Sequence, residues 1–343
     1  MKLIMEGWRK FIQEGGNVFG GQTASIPREY IEPTLDKYRE ELGRLFPKKK
    51  EVFNSFRYLG SVGKKPMSGD IDLAIDANEL FEGGEVTPDQ LEKWGIDPDQ
   101  WQKTFDLFKK RSRTRTDAEI GWRSFLMELA KRFNKDSRMI ISNLKKIAPG
   151  TMFSLFPQFN EKGEQQDIGV QIDWMVGNVE WLEFAYWSAP PHEEEQYLKG
   201  LHRTQLMLSM FSVKGMSYIH TIGIRDKETR ELITDSPKEA LKILGELYDG
   251  EISNENVSDF YTLHDWLKEN ASKKDYNAAI GTYLKILDST KSVKIGDSHC
   301  GYIPRDLEDT WIEKQNELEL SGKFICKDTN EKIWNHIYSE QGQ

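Results

Sequence analysis

The alternation of apolar and polar residues along the chain predicts helical blocks separated by short strands. Residues 28–46 carry apolar side chains at helical spacing, and residues 52–59 indicate a strand. Residues 87–146 form a long helical block, which Thr87 and Pro88 open with a helix-start signal. One helix of this block places five apolar side chains on a single stripe: Trp122, Phe125, Leu126, Leu129 and Phe133.

A hairpin is predicted after this block. Residues 150–159 and 169–176 both alternate as strands do, and the turn-like residues 160–167 separate them. In the second strand Asp173 lies on the polar face of a segment that otherwise has the pattern of a buried strand. A single aspartate in such a place is commonly a hydrogen-bonded surface residue, so its role depends on which strand lies beside it.

The stretch "LGSVGKKPMSGDIDLAID", residues 59–76, ends in a strand with one apolar and one acidic face. Its apolar residues are Ile71, Leu73 and Ile75, and its acidic residues are Asp70, Asp72 and Asp76. Carboxylates on one face repel each other unless a cation lies between them, and hard oxygen ligands suit magnesium or manganese. The alternative is an amphipathic strand whose acidic face is solvated.

The turn before this strand favours the metal-binding interpretation. It combines glycine, serine and lysine in ten residues: Gly60, Ser61, Gly63, Lys64, Lys65, Ser68 and Gly69. Glycine lets backbone N–H groups approach an oxyanion and lysine adds positive charge, as in a phosphate-binding loop. The turn and the acidic strand together predict a site for a nucleoside triphosphate and its metal. A Walker-type loop is excluded because its motif does not occur.

A third carboxylate would complete a site for two metal ions. Asp173 fits this role if its strand lies next to the strand that carries Asp70 and Asp72. Two ions held in this way clamp the attacking oxygen, the transferred phosphate and the leaving group.

Composition narrows the class of protein. The chain has 343 residues, enough for two or three subdomains, and a net charge of −9, which argues against a generally basic surface for long nucleic acids. Residues 109–115 hold five basic residues in seven, either a contact for a nucleic-acid backbone or a solvated helix end. The two cysteines, Cys300 and Cys326, lack metal-ligand spacing, so a reducing, cytoplasmic location is expected. No apolar run approaches the roughly 20 residues of a membrane span, so no membrane partner is expected.

Residues from about 26 to about 245 resemble the catalytic region of family X DNA polymerases, the group of DNA polymerases β and λ and terminal transferase. The resemblance rests on an ordered series of segments: "IPREYIEPTLDKYREEL", "LGSVGKKPMSGDIDLAI", "VQIDWMV", "FAYWSA", "HRTQLMLSMFSVKGMSYIHTIGI" and "RELITDSPKEALKILG". It implies that Asp70, Asp72 and Asp173 bind two Mg²⁺ ions, with Mn²⁺ as an alternative. It also implies that Asp173 takes the proton of an attacking primer hydroxyl. With the turn, the expected nucleotide-binding residues are Gly60, Ser61, Lys64, Lys65, Ser68, Gly69, Ser188 and Arg203.

The chain departs from the family pattern in several places. Trp187 stands where the family has glycine, and Phe184 and Ala185 replace its tyrosine–phenylalanine pair. An insertion at residues 190–200 contains three consecutive glutamates, and the DNA-gripping and lyase domains of the repair enzymes have no counterpart. Residues after about 246 have no place in the family pattern, although 259–271 and 276–290 are predicted helices.

The expected fold is α+β: a polymerase β-like palm, with a mixed sheet and helices on one face, a helical insertion and a helical C-terminal region. The expected divisions are an N-terminal helix and glycine-rich loop at 1–25, the palm at 26–190 with its insertion at about 87–146, a nucleotide-side subdomain at 191–245, and the helical region at 246–343.

The predicted activity is transfer of a nucleoside monophosphate from a nucleoside triphosphate to the 3′ hydroxyl of a nucleic acid. Two alternatives remain open. One is untemplated tailing of RNA such as a transfer RNA, or transfer to a small molecule or protein. The other is a binding protein that has kept the palm and lost its chemistry.

Overall fold

The computed structural model describes residues 18–81, 85–112, 115–187, 200–289, 293–295 and 298–300, with residues 307 and 310. The helix expected near the N-terminus lies outside these residues. The chain divides into two compact units. The first comprises Met1–Glu193, Ile219–Gly223 and Thr234–Pro237, and the second comprises Glu194–Tyr218, Ile224–Ile233 and Lys238–Gln343.

The first unit is built on a mixed five-stranded sheet, which agrees with the predicted α+β class. The unit has seven described strands, five in this sheet and two in a separate pair: β1 (Ile26–Pro27), β2 (Arg57–Tyr58), β3 (Met67–Ser68), β4 (Ile71–Asp76), β5 (Ile141–Ser142), β6 (Thr151–Phe159) and β7 (Gln165–Gly177). The sheet has the order β2-β4-β7-β6-β5, while β1 and β3 form a separate antiparallel pair. Strand β4 pairs with β7 in parallel, and every other pair in the sheet is antiparallel. The predicted hairpin of β6 and β7 is confirmed.

Seven helices belong to the described part of the first unit. They are α1 (Arg28–Leu45), α2 (Lys50–Asn54), α3 (Ala77–Phe81), α4 (Pro88–Lys93), α5 (Pro98–Arg111), α6 (Asp117–Asp136) and α7 (Val179–Ala185). Thr87 and Thr116 begin α4 and α6 with capping boxes, which satisfy backbone N–H groups at a helix start. The predicted apolar stripe lies on α6, where Phe125, Leu129 and Phe133 are fully buried.

The prediction of a strand over residues 52–59 is wrong for most of its length. A short 3₁₀ helix, Pro47–Lys49, leads into α2, and only Arg57–Tyr58 is extended. Val52, Phe53 and Phe56 are all buried in one core. Val52 and Phe53 point about 100° apart in a helix and can both reach a broad core, whereas a strand would direct them to opposite faces.

The main core lies on one face of the sheet. There the Trp174 indole contacts the rings of Phe53, Phe56 and Phe133, with ring centroids 5.6 to 6.4 Å apart. The expectation that helices cover only one face is incomplete. Leu182 of α7 packs on Ala74 and Met175, which belong to the face that carries the aspartates.

A buried hydrogen-bond chain connects α1 to the sheet. The Trp174 Nε1–H donates to the Tyr38 hydroxyl oxygen at 2.9 Å, and the Tyr38 hydroxyl lies 3.0 Å from the Ser154 hydroxyl. Ser154 Oγ in turn donates to the Ile172 carbonyl oxygen at 3.1 Å. These polar groups are buried, so each bond replaces one that water would otherwise supply.

The second unit is mainly helical in its described part. Its elements are α8 (Gly200–Val213), β8 (Met216–Ile219), β9 (Gly223–Asp226), β10 (Leu232–Thr234), α9 (Pro237–Leu247), α10 (Phe260–Asn270), α11 (Lys273–Ser289), β11 (Val293–Ile295) and β12 (Ser298–Cys300). A few residues at the ends of β8 to β10 belong to the first unit. Helix α8 packs against α10 and α11, and the two predicted C-terminal helices are confirmed.

Among the described helices of both units, none is long and apolar enough to cross a membrane.

We expect Tyr38→Phe to lower the free energy of unfolding by about 1–3 kcal/mol, because it leaves the buried Trp174 N–H without its acceptor. Urea denaturation measures this change. Tyr30→Phe is the matched control, since Tyr30 is only half-buried and its hydroxyl bonds to none of the described residues. Equal losses in the two variants would contradict a structural role for the chain.

Candidate metal centre

The position of the site follows from the register of β4 and β7. Asp72 lies directly opposite Asp173 in this parallel pair, and Leu73 lies opposite Trp174. Opposite residues of paired strands project from the same face, so the register that buries Leu73 and Trp174 also places the two aspartates together. The strand that carries Asp173 therefore lies next to the strand that carries Asp70 and Asp72, as a third carboxylate of the site requires.

Three carboxylates converge here, and we call them the acidic triad: Asp70, Asp72 and Asp173. Each offers one oxygen, and these oxygens all lie within 4.8 Å of one another. Asp70 and Asp72 are half-buried, whereas Asp173 is only 4% exposed. Such a group could hold a metal ion, and its all-oxygen donor set suits a hard divalent cation such as Mg²⁺ or Mn²⁺.

Asp76, the third aspartate of the acidic face, does not belong to the triad. Its Oδ1 accepts a hydrogen bond of 2.7 Å from the backbone N–H of Asn78, at the start of α3. It lies four residues from Asp72, and a strand rises about 3.3 Å per residue. The acidic face is therefore divided between a site and a helix start.

The three carboxylates of the triad repel one another in the metal-free protein. Removal from water raises the pKa of Asp72 well above its ordinary value, and the charge of Asp70 raises that pKa further. Burial likewise raises the pKa of Asp173, followed by repulsion from Asp72 and then from Asp70. A cation between the carboxylates would oppose both effects, because it favours their charged forms.

Gln171 fixes one oxygen of Asp173 and leaves the other uncommitted. The Gln171 Nε2–H donates to Asp173 Oδ2 at 3.0 Å, and Gln171 Oε1 accepts from the backbone N–H of Val18 at 3.1 Å. Asp173 Oδ1 is buried and has no hydrogen-bond partner among the described residues. An uncompensated buried carboxylate oxygen is the kind of group that an ion satisfies, so these residues fit a bound cation. The role of Gln171 was not predicted, although its place two residues before Asp173 puts both side chains on one face of the strand.

The lysine turn, residues 60–69, lies beside the triad. The Leu59 backbone N–H donates to the Asp72 carbonyl oxygen at 3.0 Å, which ties the start of the turn to β4. Gly60 has a φ of +60°, and a Cβ there would lie 3.4 Å from Asp72 Oδ2. The positive φ therefore favours glycine at position 60, and a side chain there would contact a triad oxygen.

Trp187 adds an aromatic ring to this region. Its backbone bridges to Gly60, and the Lys64 Nζ lies 4.6 Å from the centroid of the Trp187 ring. Burial lowers the pKa of Lys64. This cation–π contact was not predicted, although the departure from glycine at position 187 marked the place. Lys65 is half-buried, and its carbonyl oxygen accepts from Arg28 Nε at 3.2 Å.

The remaining residues predicted to bind nucleotide occupy different surroundings. Ser61 and Gly69 are half-buried in the turn. Ser68 is 3% exposed, and its hydroxyl has no hydrogen-bond partner among the described residues. Arg203 belongs to the second unit, is 2% exposed and donates from Nε to the Val257 carbonyl oxygen. Arg203 is therefore buried in a structural contact and is not exposed for nucleotide binding as predicted. Ser188 lies outside the described residues.

Comparison with known proteins adds no family to this description. No protein-family model matches the chain, and no curated protein matches it. The functional conclusion therefore depends on the geometry of the triad and the turn.

We expect Asp72→Asn to stabilise the protein in EDTA near pH 7 and to abolish its stabilisation by Mn²⁺. Folded Asp72 binds its proton more tightly than unfolded Asp72, so the unfolding free energy of the metal-free protein falls as pH rises from about 4 through the raised pKa. The variant lacks this loss. Its thermal midpoint should exceed that of the wild type by a few degrees at pH 7, since about 1 kcal/mol shifts the midpoint by about 2–4 °C in a domain of this size.

The matched control for this experiment is Asp76→Asn, which removes the same charge from the same strand and keeps an acceptor for Asn78. It should keep the response to Mn²⁺. If Asp72→Asn and Asp76→Asn respond alike to Mn²⁺ and to pH, the triad does not bind the ion.

Proposed function

We propose that the first unit is a nucleotidyltransferase that transfers a nucleoside monophosphate from a nucleoside triphosphate to a hydroxyl group and releases pyrophosphate. The observation that carries the proposal is the convergence of three carboxylate oxygens within 4.8 Å, drawn from two adjacent strands. A glycine- and lysine-containing turn beside them supports a phosphate substrate, since backbone N–H groups and lysines bind phosphate oxygens.

Asp70, Asp72 and Asp173 would hold the metal. When bound, a divalent cation, or a pair of them, supplies charge neutralisation on the phosphates and polarises the phosphorus that is attacked.

Asp173 would also receive the proton. The acceptor oxygen forms a bond to the α-phosphorus while the bond from that phosphorus to the pyrophosphate oxygen breaks, and the hydroxyl proton passes to the Asp173 carboxylate. Asp173 is buried, and one of its oxygens has no hydrogen-bond partner among the described residues, so the carboxylate is not fully committed to the protein. A positioned carboxylate within hydrogen-bond reach of the hydroxyl acts as a general base.

The lysine turn would hold the triphosphate. Lys64 and Lys65 are half-buried, which reduces the competition from water for an anion at their ammonium groups. The turn begins next to Asp72, because the Leu59 backbone N–H donates to the Asp72 carbonyl oxygen, so phosphates held by the turn would lie near the triad.

The resemblance to family X DNA polymerases supports a palm of that type and a nucleic-acid 3′ hydroxyl as the acceptor. The second candidate is untemplated tailing of RNA, or transfer to a small molecule or protein. The net charge of −9 favours it, because a long duplex would meet an acidic protein outside any local basic groove. A binding protein without catalysis is a weaker candidate, since repelling carboxylates lower stability and serve no purpose in an inactive palm.

The test is incubation of the purified chain with labelled nucleotides, Mg²⁺ or Mn²⁺, and several acceptors: primer–template DNA, single-stranded DNA and transfer RNA. We expect incorporation on one of them, and a loss of about 10²-fold or more in Asp173→Asn, because a general base contributes about 10²–10⁴-fold. Asp76→Asn is the matched control and should keep its activity. Incorporation that survives in Asp173→Asn would refute the assigned chemistry, and absence of incorporation on all three acceptors would contradict a nucleic-acid acceptor.

Simultaneous Lys64→Ala and Lys65→Ala substitutions should raise the KM for nucleotide about tenfold and change kcat less. The lysines contact phosphates in the ground state and the transition state alike, and such uniform binding affects KM. Steady-state kinetics with varied nucleotide measure this difference. The control pair is Lys135→Ala with Lys162→Ala, two exposed lysines of the same unit. A KM that changes equally in both pairs would place Lys64 and Lys65 outside the phosphate site.

A further inference from the structure

The basic stretch at the end of α5 is folded against the start of α6. Lys109 Nζ forms an ion pair of 2.7 Å with Asp117 Oδ2, which joins the last turn of α5 to the first turn of α6. Lys109 is therefore neutralised, whereas Arg111 and Arg115 form no ion pair with any residue that the structure describes.

Arg123 holds the centre of this region. Its guanidinium carbon lies 4.1 Å from the centroid of the Phe108 ring, and its Nε donates to the Ile147 carbonyl oxygen at 3.0 Å. The side chain thus connects α5, α6 and the segment before β6. Within the described chain no carboxylate pairs with Arg123, and its terminal nitrogens have no hydrogen-bond acceptor. A stacked guanidinium is held in place and keeps N–H donors for a ligand.

Arg111 and Arg115 both lie close enough to Arg123 for their charges to act on it. Burial lowers the pKa of Arg123 first, and the charges of Arg115 and then Arg111 lower it further. Lys145 and Lys146 directly precede Ile147 and are exposed in a turn, where Asn143 Oδ1 accepts from the Lys145 N–H at 3.0 Å. Five positive charges therefore lie on two helices, the residues just before the second helix and a turn, in a chain whose net charge is −9.

We propose that this basic patch, Arg111, Arg115, Arg123, Lys145 and Lys146, binds the phosphodiester backbone of the nucleic-acid acceptor. A solvated helix end would account for exposed lysines. It does not account for a half-buried arginine stacked on Phe108 beside two unpaired arginines. Guanidinium groups bind phosphates through paired N–H donors, and five charges on separate segments suit a row of phosphates better than a single anion.

The patch is connected to the sheet that carries the triad. Ala148, which follows Ile147, bridges to Thr151, and Thr151 lies opposite Met175 on β7, two residues beyond Asp173. The identity of the ligand as an acceptor rests on the proposed function, but the binding of a phosphate backbone does not require catalysis.

Fluorescence anisotropy with labelled 20-nucleotide single-stranded RNA and DNA, in EDTA and from about 50 to about 200 mM salt, tests the proposal. Arg111→Ala with Arg115→Ala should weaken binding about tenfold at the lower salt concentration. Loss of two phosphate contacts should also reduce the slope of log Kd against log salt by about 1.4, at about 0.7 per contact for single strands. Lys135→Ala with Lys162→Ala removes the same charge elsewhere and should bind as the wild type does. Urea denaturation should show that both double variants are folded.

The outcomes separate this proposal from the nucleotidyltransferase assignment. Asp76→Asn, which lies outside the triad, should bind the oligonucleotides as the wild type does. Binding without incorporation in any assay would support the patch while the assigned activity fails. Equal affinity of the wild type and the Arg111/Arg115 variant would overturn the patch even if nucleotide transfer is observed. Binding of vesicles that contain anionic lipid, without binding of either oligonucleotide, would also overturn it.

Discussion

The parallel pairing of β4 with β7 is the constraint on which the candidate site depends. Because side chains alternate along both strands, the pairing that buries Leu73 beside Trp174 also sets Asp72 beside Asp173. A slip of one residue in either strand would turn an aspartate into the aromatic core and an apolar residue toward the triad. The core therefore specifies the position of the carboxylates, and mutations that loosen it act on the site from a distance.

One face of the sheet carries the acidic triad, which lowers the stability of the metal-free protein, and the other face carries the core that stabilises it. The triad gathers negative charge in a poorly hydrated place, as the raised pKa values of Asp72 and Asp173 indicate. The opposite face compensates with closely packed aromatic rings and with the buried hydrogen bonds of Tyr38, Ser154 and Trp174. Because the carboxylates repel each other in the metal-free protein, a bound cation raises the free energy of unfolding. Folding is therefore coupled to metal binding.

Much of this architecture could be predicted from local patterns. The alternation around Asp70 and Asp72, the stripe on α6 and the hairpin that contains Asp173 each reflect a periodicity that the sequence displays directly. The prediction of a strand at 52–59 was wrong because short apolar clusters fit either a helix or a strand. Packing against the main core favours a helix at Val52 and Phe53. The contact of Lys64 with Trp187 and the burial of Arg203 could not be predicted, since both depend on segments that are distant in sequence.

The most direct test of the central claim is a crystal structure of the protein with Mn²⁺ and a nonhydrolysable nucleoside triphosphate, with anomalous diffraction data collected at the manganese absorption edge. The account predicts an anomalous peak at roughly 2.0–2.3 Å from oxygens of Asp70, Asp72 and Asp173, with the phosphates toward the lysine turn. A manganese peak elsewhere, or a structure in which Asp173 faces away from Asp70 and Asp72, would contradict it.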